Sequence, residues 1–310
     1  MDYSKSLLIK VAEYYYNEDL NQQQIAKRLN ISRVKVSRLL TEARNKGIVK
    51  IEIVYPKDNC IELERQLEEK YQLEEVVIIS SSSNTPDSIH LEVTNTAAQF
   101  IEEKVNPKEI IGIAWGRTLK RVSDRIGEVN KEVEIVQLLG NIGSSEYSGD
   151  VIVRNIAKSF QGSIYLLPAP AIVDNIEIKE AIKSDGHISS ILEMQKQCSL
   201  AIVGIGQVSE KSTLVMSNYL KEEDLKRLKS DGAVGEVVGR FVDENGQICK
   251  TSVNDRVLGI EIDSLKEIPC VVAIASGEEK GKSIKAVLKT GSIDVLITDE
   301  NTAQNILKLE

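Results

Sequence analysis

The chain has 310 residues, 42% of them hydrophobic, with 39 Lys and Arg against 47 Asp and Glu and a formal net charge of -8. This length exceeds what one hydrophobic core usually supports, and no apolar run approaches the ~18 residues of a membrane helix. Residues 1–10 lack the apolar core of a signal peptide, and the four cysteines are widely spaced with no C-x-x-C pair. We therefore expect a multidomain cytoplasmic protein with reduced thiols, no membrane span and no metal site.

Charge is distributed unevenly along the chain. Residues 1–50 contain ten basic and five acidic residues, net +5, whereas residues 51–310 carry net -13. A polyanion is the natural partner of such a basic segment, because Lys and Arg that neutralise phosphates release condensed counterions. We expect a small head over residues 1–56, a connecting helix over 57–75 and a body over 76–310.

The basic segment has the pattern of a helix-turn-helix. Apolar residues follow a helical spacing over Gln22–Leu29, Asn30 and Ile31 form a tight turn, and Ser32 can cap a second helix. The apolar positions of that second helix fall on one stripe: Val36, Leu39, Leu40 and Ala43.

The face opposite this stripe would enter the major groove of DNA. Arg38 can read guanine by a bidentate contact, Ser37 can donate and accept, and the apolar groups of Val34 and Thr41 suit a thymine methyl. Flanking basic residues are better placed for phosphates, which position a domain without specifying sequence. The alternative is a small three-helix bundle with a solvated basic face. The predicted DNA-binding residues are Ser32, Arg33, Val34, Lys35, Ser37, Arg38, Thr41, Arg44 and Lys46.

A short wing strand and a charged helix follow the head. Residues 49–55 alternate apolar and polar like a strand, which Pro56 ends. Ile61, Leu63, Leu67 and Tyr71 then mark a helix that is either a connector or a dimerisation element, and the sequence leaves this choice open. A dimer is favoured indirectly, because helix-turn-helix proteins usually place two heads on adjacent half-sites.

The body alternates apolar strands with helices. The predicted strands are 76–79, 110–115, 133–139, 164–167, 200–203, 271–275 and 295–297. This alternation predicts an α/β fold with a doubly wound, mostly parallel sheet, in which ligands bind beyond the carboxyl ends of the strands.

Glycine or proline turns follow five of these strands, at 116–118, 140–143, 168–170, 204–206 and 276–280. Glycine lets backbone N–H groups approach an anion closely, and Arg117, Thr118 and Lys280 add side-chain donors. Together the turns predict a phosphorylated or otherwise anionic small ligand. Ordinary turn chemistry is the alternative for each turn taken singly.

The same segments resemble a known family. The head, from Tyr14-Tyr15-Tyr16 through 22–26 to 36–40, resembles the DNA-binding domain of SorC-type sugar-binding transcriptional regulators. The body resembles that family at 112–119, 136–140, 235–237, 254–260 and 294–300. This resemblance covers nearly the whole chain in order. It implies a winged helix-turn-helix domain, a body related to sugar-phosphate isomerases and glucosamine-phosphate deaminases, a phosphosugar effector and a tetramer.

Carried over by position, the resemblance implies an effector site in which Glu236 binds sugar hydroxyls and Lys280 binds phosphate. For Asp255 a turn or capping role is an equal alternative. Some family members have a lysine before the glycine of the third-strand turn; Leu139 stands there in this chain, so no Schiff base can form at that position. The implied effector residues are Gly116, Arg117, Thr118, Gly140, Asn141, Glu236, Asp255 and Lys280.

These features predict an effector-responsive transcriptional repressor of carbohydrate genes, with operator DNA and a sugar phosphate as partners and no cofactor. The competing class is an isomerase or deaminase, which would need a positioned general base among Glu236, Asp255, Asp299 and His187. A capping role suits His187 better, and fold analogy alone cannot establish chemistry. The DNA-binding head favours the regulator, and we assign no catalytic residue.

Overall fold

In the computed structural model the chain divides into two compact units, Met1–Lys57 and Asp58–Glu310. The structure describes residues 4–50, 60–81, 85–141 and 147–309. Most of the predicted wing strand, Pro56 after it, and the second half of the turn at 140–143 lie outside the described residues. Among the residues described, no helix is long and apolar enough to cross a membrane.

The first unit is a helical bundle with its own core. Its helices are α1 (Lys5–Ala12), which continues as a π-helical turn (Glu13–Asn17), α2 (Gln22–Leu29) and α3 (Arg33–Asn45). Both helices of the predicted helix-turn-helix are therefore confirmed. Buried side chains from the three helices form the core: Leu8, Val11, Ile25, Val36, Leu39, Leu40 and Ala43.

Local capping sets the turn between α2 and α3. Asn21 begins α2 as the first half of a capping box. Asn30 ends that helix in the left-handed region at φ 52°, which asparagine adopts more readily than most residues. Ser32 then begins α3, because its Oγ accepts the Lys35 N–H at 3.2 Å.

The second unit is built on strands β1 (Glu75–Ile79), β2 (Ile110–Ile113), β3 (Glu134–Gln137), β4 (Ser163–Tyr165), β5 (Leu200–Gln207), β6 (Gly235–Val237), β7 (Arg240–Val242), β8 (Val271–Ile274) and β9 (Val295–Asp299). Seven of them form a parallel sheet in the order β1-β9-β8-β5-β2-β3-β4. The interior strand β8 is buried along its whole length, as expected for a parallel sheet covered on both faces.

Helices connect these strands. They are α4 (Ile61–Tyr71), α5 (Pro86–Lys104), α6 (Arg117–Ser123), α7 (Gly149–Phe160), α8 (Ile176–Lys183), α9 (Gly186–Gln195), α10 (Thr213–Met216), α11 (Glu222–Ser230), α12 (Ser252–Asp255), α13 (Ile262–Lys266), α14 (Gly281–Leu288) and α15 (Glu300–Lys308), with a 3-10 turn at Glu278–Lys280.

All seven predicted body strands are present, but one predicted turn is wrong. Residues 204–206 continue β5, whose far end pairs antiparallel with β6. The short hairpin of β6 and β7 was not predicted as strand. Each of its strands has only three residues, too few for an alternating pattern to show.

Helix α4 packs within the second unit. Its Leu67 is fully buried in the core of that unit. Glu64 and Glu68 each accept a backbone N–H of the edge strand β1, from Ile78 and Val76 respectively, both at 2.9 Å. The helix thereby satisfies the donors that an edge strand otherwise leaves open. The predicted connecting helix is thus part of the body's packing.

Candidate functional site

One face of α3 is open to solvent and matches the predicted recognition surface. Val34 is 62% exposed, which is unusual for an apolar side chain, and Ser37, Arg38 and Thr41 are exposed beside it. The Thr41 hydroxyl donates to the Ser37 carbonyl at 3.1 Å, so its methyl is the group left for a partner. The face therefore offers a guanidinium, a hydroxyl and apolar groups, the chemistry that reads base edges.

The flanking cations differ in how free they are to meet a phosphate. Lys46 Nζ lies 2.9 Å from the Glu42 carboxylate one turn earlier, so its charge is already partly neutralised. Arg33, Arg38 and Arg44 make no ion pair with any residue that the structure describes. The guanidinium groups of Arg33 and Arg44 are accordingly freer to meet an anion than the Lys46 ammonium.

The second unit has a cavity of about 310 Å³ at the carboxyl ends of β2 and β5, beside the β6–β7 hairpin. We call it the inner cavity. It brings together five of the eight predicted effector residues, which are contributed by α6, β6 and the 3-10 turn: Gly116, Arg117, Thr118, Glu236 and Lys280.

Glu236 is held by the hairpin that contains it. Its Oε1 accepts the Gly239 N–H across the turn between β6 and β7. That turn is tight: Val238 has φ 46° and Gly239 φ 75°, and a β-branched residue rarely adopts the left-handed region. Burial raises the pKa of Glu236 to about 7, although the Gly239 N–H and the nearby Lys280 favour its ionised form. The carboxyl can therefore change protonation near neutral pH.

Lys280 faces Glu236 across the site without pairing with it. Burial and the neighbouring Arg117 lower the pKa of its ammonium, while Glu279 and Glu236 oppose this shift. Among the described residues no carboxylate lies within 4 Å of its Nζ, and no hydrogen bond from it is present. Arg117 itself donates to the Lys211 carbonyl at 3.1 Å. The site thus brings two cations and a carboxyl together in one cavity.

Three predicted effector residues do not line this cavity. Gly140 packs against the backbone of 169–170, where a Cβ would collide with carbonyl oxygens, and Asn141 accepts hydrogen bonds from Gln137 and Ser148. Of the third-strand turn, Leu139 is the described residue that reaches the cavity. Asp255 is exposed at the end of α12 and lines a separate cavity, so the proposed site omits it.

Several lining residues were not predicted. They are Trp115, Gln207, Ser209, Lys211, Ser212, Thr213 and Phe241. Trp115 directly precedes the predicted turn at 116–118, so its place in the site could have been inferred from the sequence. The polar residues from Gln207, the last residue of β5, to Thr213 were missed because residues 204–206 were assigned to a turn. Their amide and hydroxyl groups both donate and accept, which suits the hydroxyls of a sugar.

Comparison with known proteins supports this division of roles. Residues 55–308 match the Sugar-bind family of sugar-binding domains, and residues 10–46 match Sigma-70, region 4. The deoxyribonucleoside regulator of Bacillus subtilis (strain 168) is 36% identical over 312 residues, which cover 99% of each chain. The sorbitol operon regulator of Klebsiella pneumoniae is 29% identical over 307 residues, covering 97% of this chain and 98% of the relative.

Solved structures of similar regulators superimpose on this chain. The full-length sorbitol operon regulator SorC from Klebsiella pneumoniae superimposes with a TM-score of 0.76 at 28% identity, covering 98% of this chain and 99% of that one. The sugar-binding domain of a transcriptional repressor from Vibrio fischeri superimposes with a TM-score of 0.74 at 29% identity, covering 80% of this chain and 98% of that domain.

A helix-turn-helix unit and an α/β sugar-binding unit in one chain define a DNA-binding transcriptional regulator. The chain belongs to the SorC family of sugar-binding transcriptional regulators. Its relatives are regulators, so the isomerase or deaminase alternative has no support.

Proposed function

We propose that the protein is a repressor of carbohydrate genes that binds its operator through α3 and responds to a phosphorylated sugar in the inner cavity. The observation that carries this proposal is Lys280, a half-buried lysine at the cavity with no carboxylate within 4 Å of its Nζ among the described residues. An unpaired cation taken out of water is costly to a fold, and a bound anion removes much of that cost.

A phosphate suits this end of the cavity. It carries about -1.5 to -2 charges near pH 7 and has three strong acceptor oxygens. Lys280 and Arg117 supply charged donors, and Thr118 supplies a hydroxyl. Hydrogen bonds between ionised partners are roughly twice as strong as neutral ones.

The carboxyl and the polar residues at the end of β5 suit a sugar. Glu236 offers a carboxylate that accepts hydroxyl donors, and Gln207, Ser209 and Thr213 can donate or accept around it. A ligand with hydroxyls at one end and a phosphate at the other matches this polarity. Two relatives are the sorbitol operon regulator and the deoxyribonucleoside regulator, and these names are consistent with a carbohydrate ligand.

We infer that the protein represses transcription, because the similar domain from Vibrio fischeri belongs to a transcriptional repressor. We further propose a dimer or tetramer, since paired heads on adjacent half-sites are the usual arrangement of helix-turn-helix regulators. An effector changes operator affinity only if it binds the two arrangements of the protein with different affinity. Light scattering with and without ligand measures the assembly.

Trp115 provides a direct test of the ligand, because it is the only tryptophan and lines the inner cavity. Its fluorescence is followed in the full chain during titration with pentose and hexose phosphates and with the same sugars lacking phosphate. Thermal unfolding is measured in parallel, since a ligand at 100 times its Kd stabilises by about 2.7 kcal/mol.

Lys280→Ala should abolish the response to phosphosugar and leave operator binding without ligand intact. Lys282→Ala is the matched control, because Lys282 is an exposed lysine two residues away that does not line the cavity. Equal responses to phosphorylated and free sugar, or an undiminished response in the Lys280 variant, would show that this end of the cavity is not the phosphate site.

A further inference from the structure

A second cavity adjoins the inner one. It has a volume of about 540 Å³ and lies beside the start of α5 and the carboxyl ends of β8 and β9. We call it the outer cavity. Four residues line both cavities: Arg117, Thr118, Glu279 and Lys280. The residues that we propose bind phosphate therefore lie at the boundary between the two cavities. A ligand held at this boundary has space on both sides.

Positive charge extends from the boundary into the outer cavity. Arg121 lines only the outer cavity, one helical turn after Arg117 on α6. Like charges four residues apart on a helix repel each other, and Lys280 adds a third cation. Neither arginine forms an ion pair within 4 Å with any described residue. Arg121 is exposed to solvent, so with one phosphate at the boundary its guanidinium remains available to a second anion.

The carboxylates of the outer cavity form no ion pair with this cluster among the described residues. Asp299 is buried, and its oxygens accept the Thr302 N–H and hydroxyl and the Gly277 N–H. The other three acidic residues are exposed to solvent and form no ion pair with the cluster: Asp87, Glu278 and Glu279.

His90 and Ser276 add neutral donors on the same side. His90 Nδ1 lies 2.7 Å from Ser276 Oγ. Burial, together with Arg121, Lys280 and Arg125, lowers the pKa of His90 to about 4, so its ring is neutral near pH 7. A neutral ring can donate to Ser276 or accept from it. If Nδ1 donates, the Ser276 hydroxyl proton is available to a ligand oxygen; if Nδ1 accepts, the His90 Nε2–H is available.

We propose that the outer cavity is a second phosphoryl-binding subsite, formed by Arg121 with the His90–Ser276 pair, next to the boundary site of Arg117, Thr118 and Lys280. The proposal rests on the proposed function, because it places the first phosphoryl group at that boundary. It defines a ligand class: an ester with two phosphoryl groups in succession, or a phosphate monoester accompanied by a free phosphate ion. A sugar at Glu236 with one phosphate at the boundary fills only part of the site.

The test compares inorganic phosphate, pyrophosphate and a pentose 5-phosphate on the full chain, by titration calorimetry and Trp115 fluorescence. Pyrophosphate should bind at least about tenfold more tightly than phosphate, with one molecule per chain, since each further charged hydrogen bond contributes about 1.5–3 kcal/mol, or roughly 10- to 150-fold. Binding of two phosphate ions per chain, or tighter binding of pentose phosphate when phosphate is added, would identify the free ion as the second group.

Arg121→Gln should remove most of the preference for pyrophosphate. Arg125→Gln is the charge-matched control, because Arg125 is close enough to influence His90 but does not line either cavity. Equal losses in the two variants would mean that general electrostatics, not a subsite, sets the preference, and would overturn the proposal.

These titrations distinguish the outer subsite from the phosphosugar site. If pentose or hexose phosphates bind with dependence on Lys280 but pyrophosphate binds no more tightly than phosphate, the outer subsite is wrong and the phosphosugar site stands. If no phosphorylated ligand binds, or if Lys280→Ala changes nothing, both proposals fall together.

Discussion

Glu236 lies directly across the β5–β6 pairing from Gly206, and its carboxylate occupies the space that a side chain at position 206 would need. A Cβ on Gly206 would lie far inside van der Waals contact of Glu236 Oε2. Because position 206 is a glycine, the carboxylate of Glu236, which we propose binds the sugar, can occupy this place in the cavity.

Gly206→Ala should displace the Glu236 carboxylate and weaken effector binding about tenfold or more, since hydrogen bonds to a charged group contribute about 1.5–3 kcal/mol. Operator binding without effector should be unchanged. Gly186→Ala is the control, because a Cβ there meets no atom within 4 Å and Gly186 does not line the inner cavity. Effector titrations followed by Trp115 fluorescence measure both. If the two variants respond alike, the Gly206 contact does not position Glu236.

Glu236→Gln should change how stability depends on pH. The folded protein holds the pKa of Glu236 at about 7, above its ordinary 4.5, so between these values the folded state keeps a proton that the unfolded chain has lost. Stability contributed by this group is present below pH 4.5 and is lost as pH rises towards 7 and beyond. Glutamine does not titrate. The Tm of the wild type relative to the variant should therefore fall, by a few degrees, between pH 5 and pH 8.

His90 titrates in the opposite direction, since its pKa is lowered to about 4, but it is present in both proteins and cancels in the difference. Calorimetric scans of the two proteins in the same buffers give this difference directly. A difference in Tm that stays constant from pH 5 to pH 8 would show that the Glu236 carboxyl is not held protonated by burial.

Arg38→Ala should cost about 1–3 kcal/mol in operator binding and relax the preference at one base position, because Arg38 lies on the exposed face of α3. Arg44→Ala should weaken all sequences alike and lower the salt dependence of binding. Lys46→Ala should do so less, because Lys46 is paired with Glu42. Selection of bound sequences from a random pool measures preference, and salt titration measures phosphate contacts. Unchanged selectivity in the Arg38 variant would mean that another face of α3 reads the bases.

Glu64→Ala should destabilise the body by about 1–3 kcal/mol, because it leaves the Ile78 N–H of the edge strand without its acceptor. Glu62→Ala, on the same helix, removes only exposed contacts with Arg65 and Gln66 and should change stability little. Denaturant unfolding of both variants is compared with the wild type. Equal stability of the two variants would show that the hydrogen bond from Ile78 to Glu64 does not stabilise the edge strand.

Local patterns determined much of this protein. The helix-turn-helix could be predicted because its signals are contained within thirty residues: a stripe of apolar side chains, an asparagine that tolerates positive φ, and a serine that caps the next helix. The seven parallel strands could be predicted because strands buried on both faces are continuous apolar runs. Strand ends also indicated Arg117, Thr118 and Lys280, because parallel strands bring their carboxyl ends to one edge.

Tertiary structure decided the rest. The β6–β7 hairpin is too short to show an alternating pattern, so only the resemblance to the SorC family assigned a role to Glu236. Whether a glycine makes a turn or a contact depends on what packs against it, and for Gly206 that partner lies thirty residues further along the chain. Asp255 lies within a family-like segment but is exposed at the end of α12, at a cavity apart from Glu236. The outer cavity joins α5, α6, β8 and β9, and only the packing of these four distant segments brings Arg121, His90 and Ser276 together.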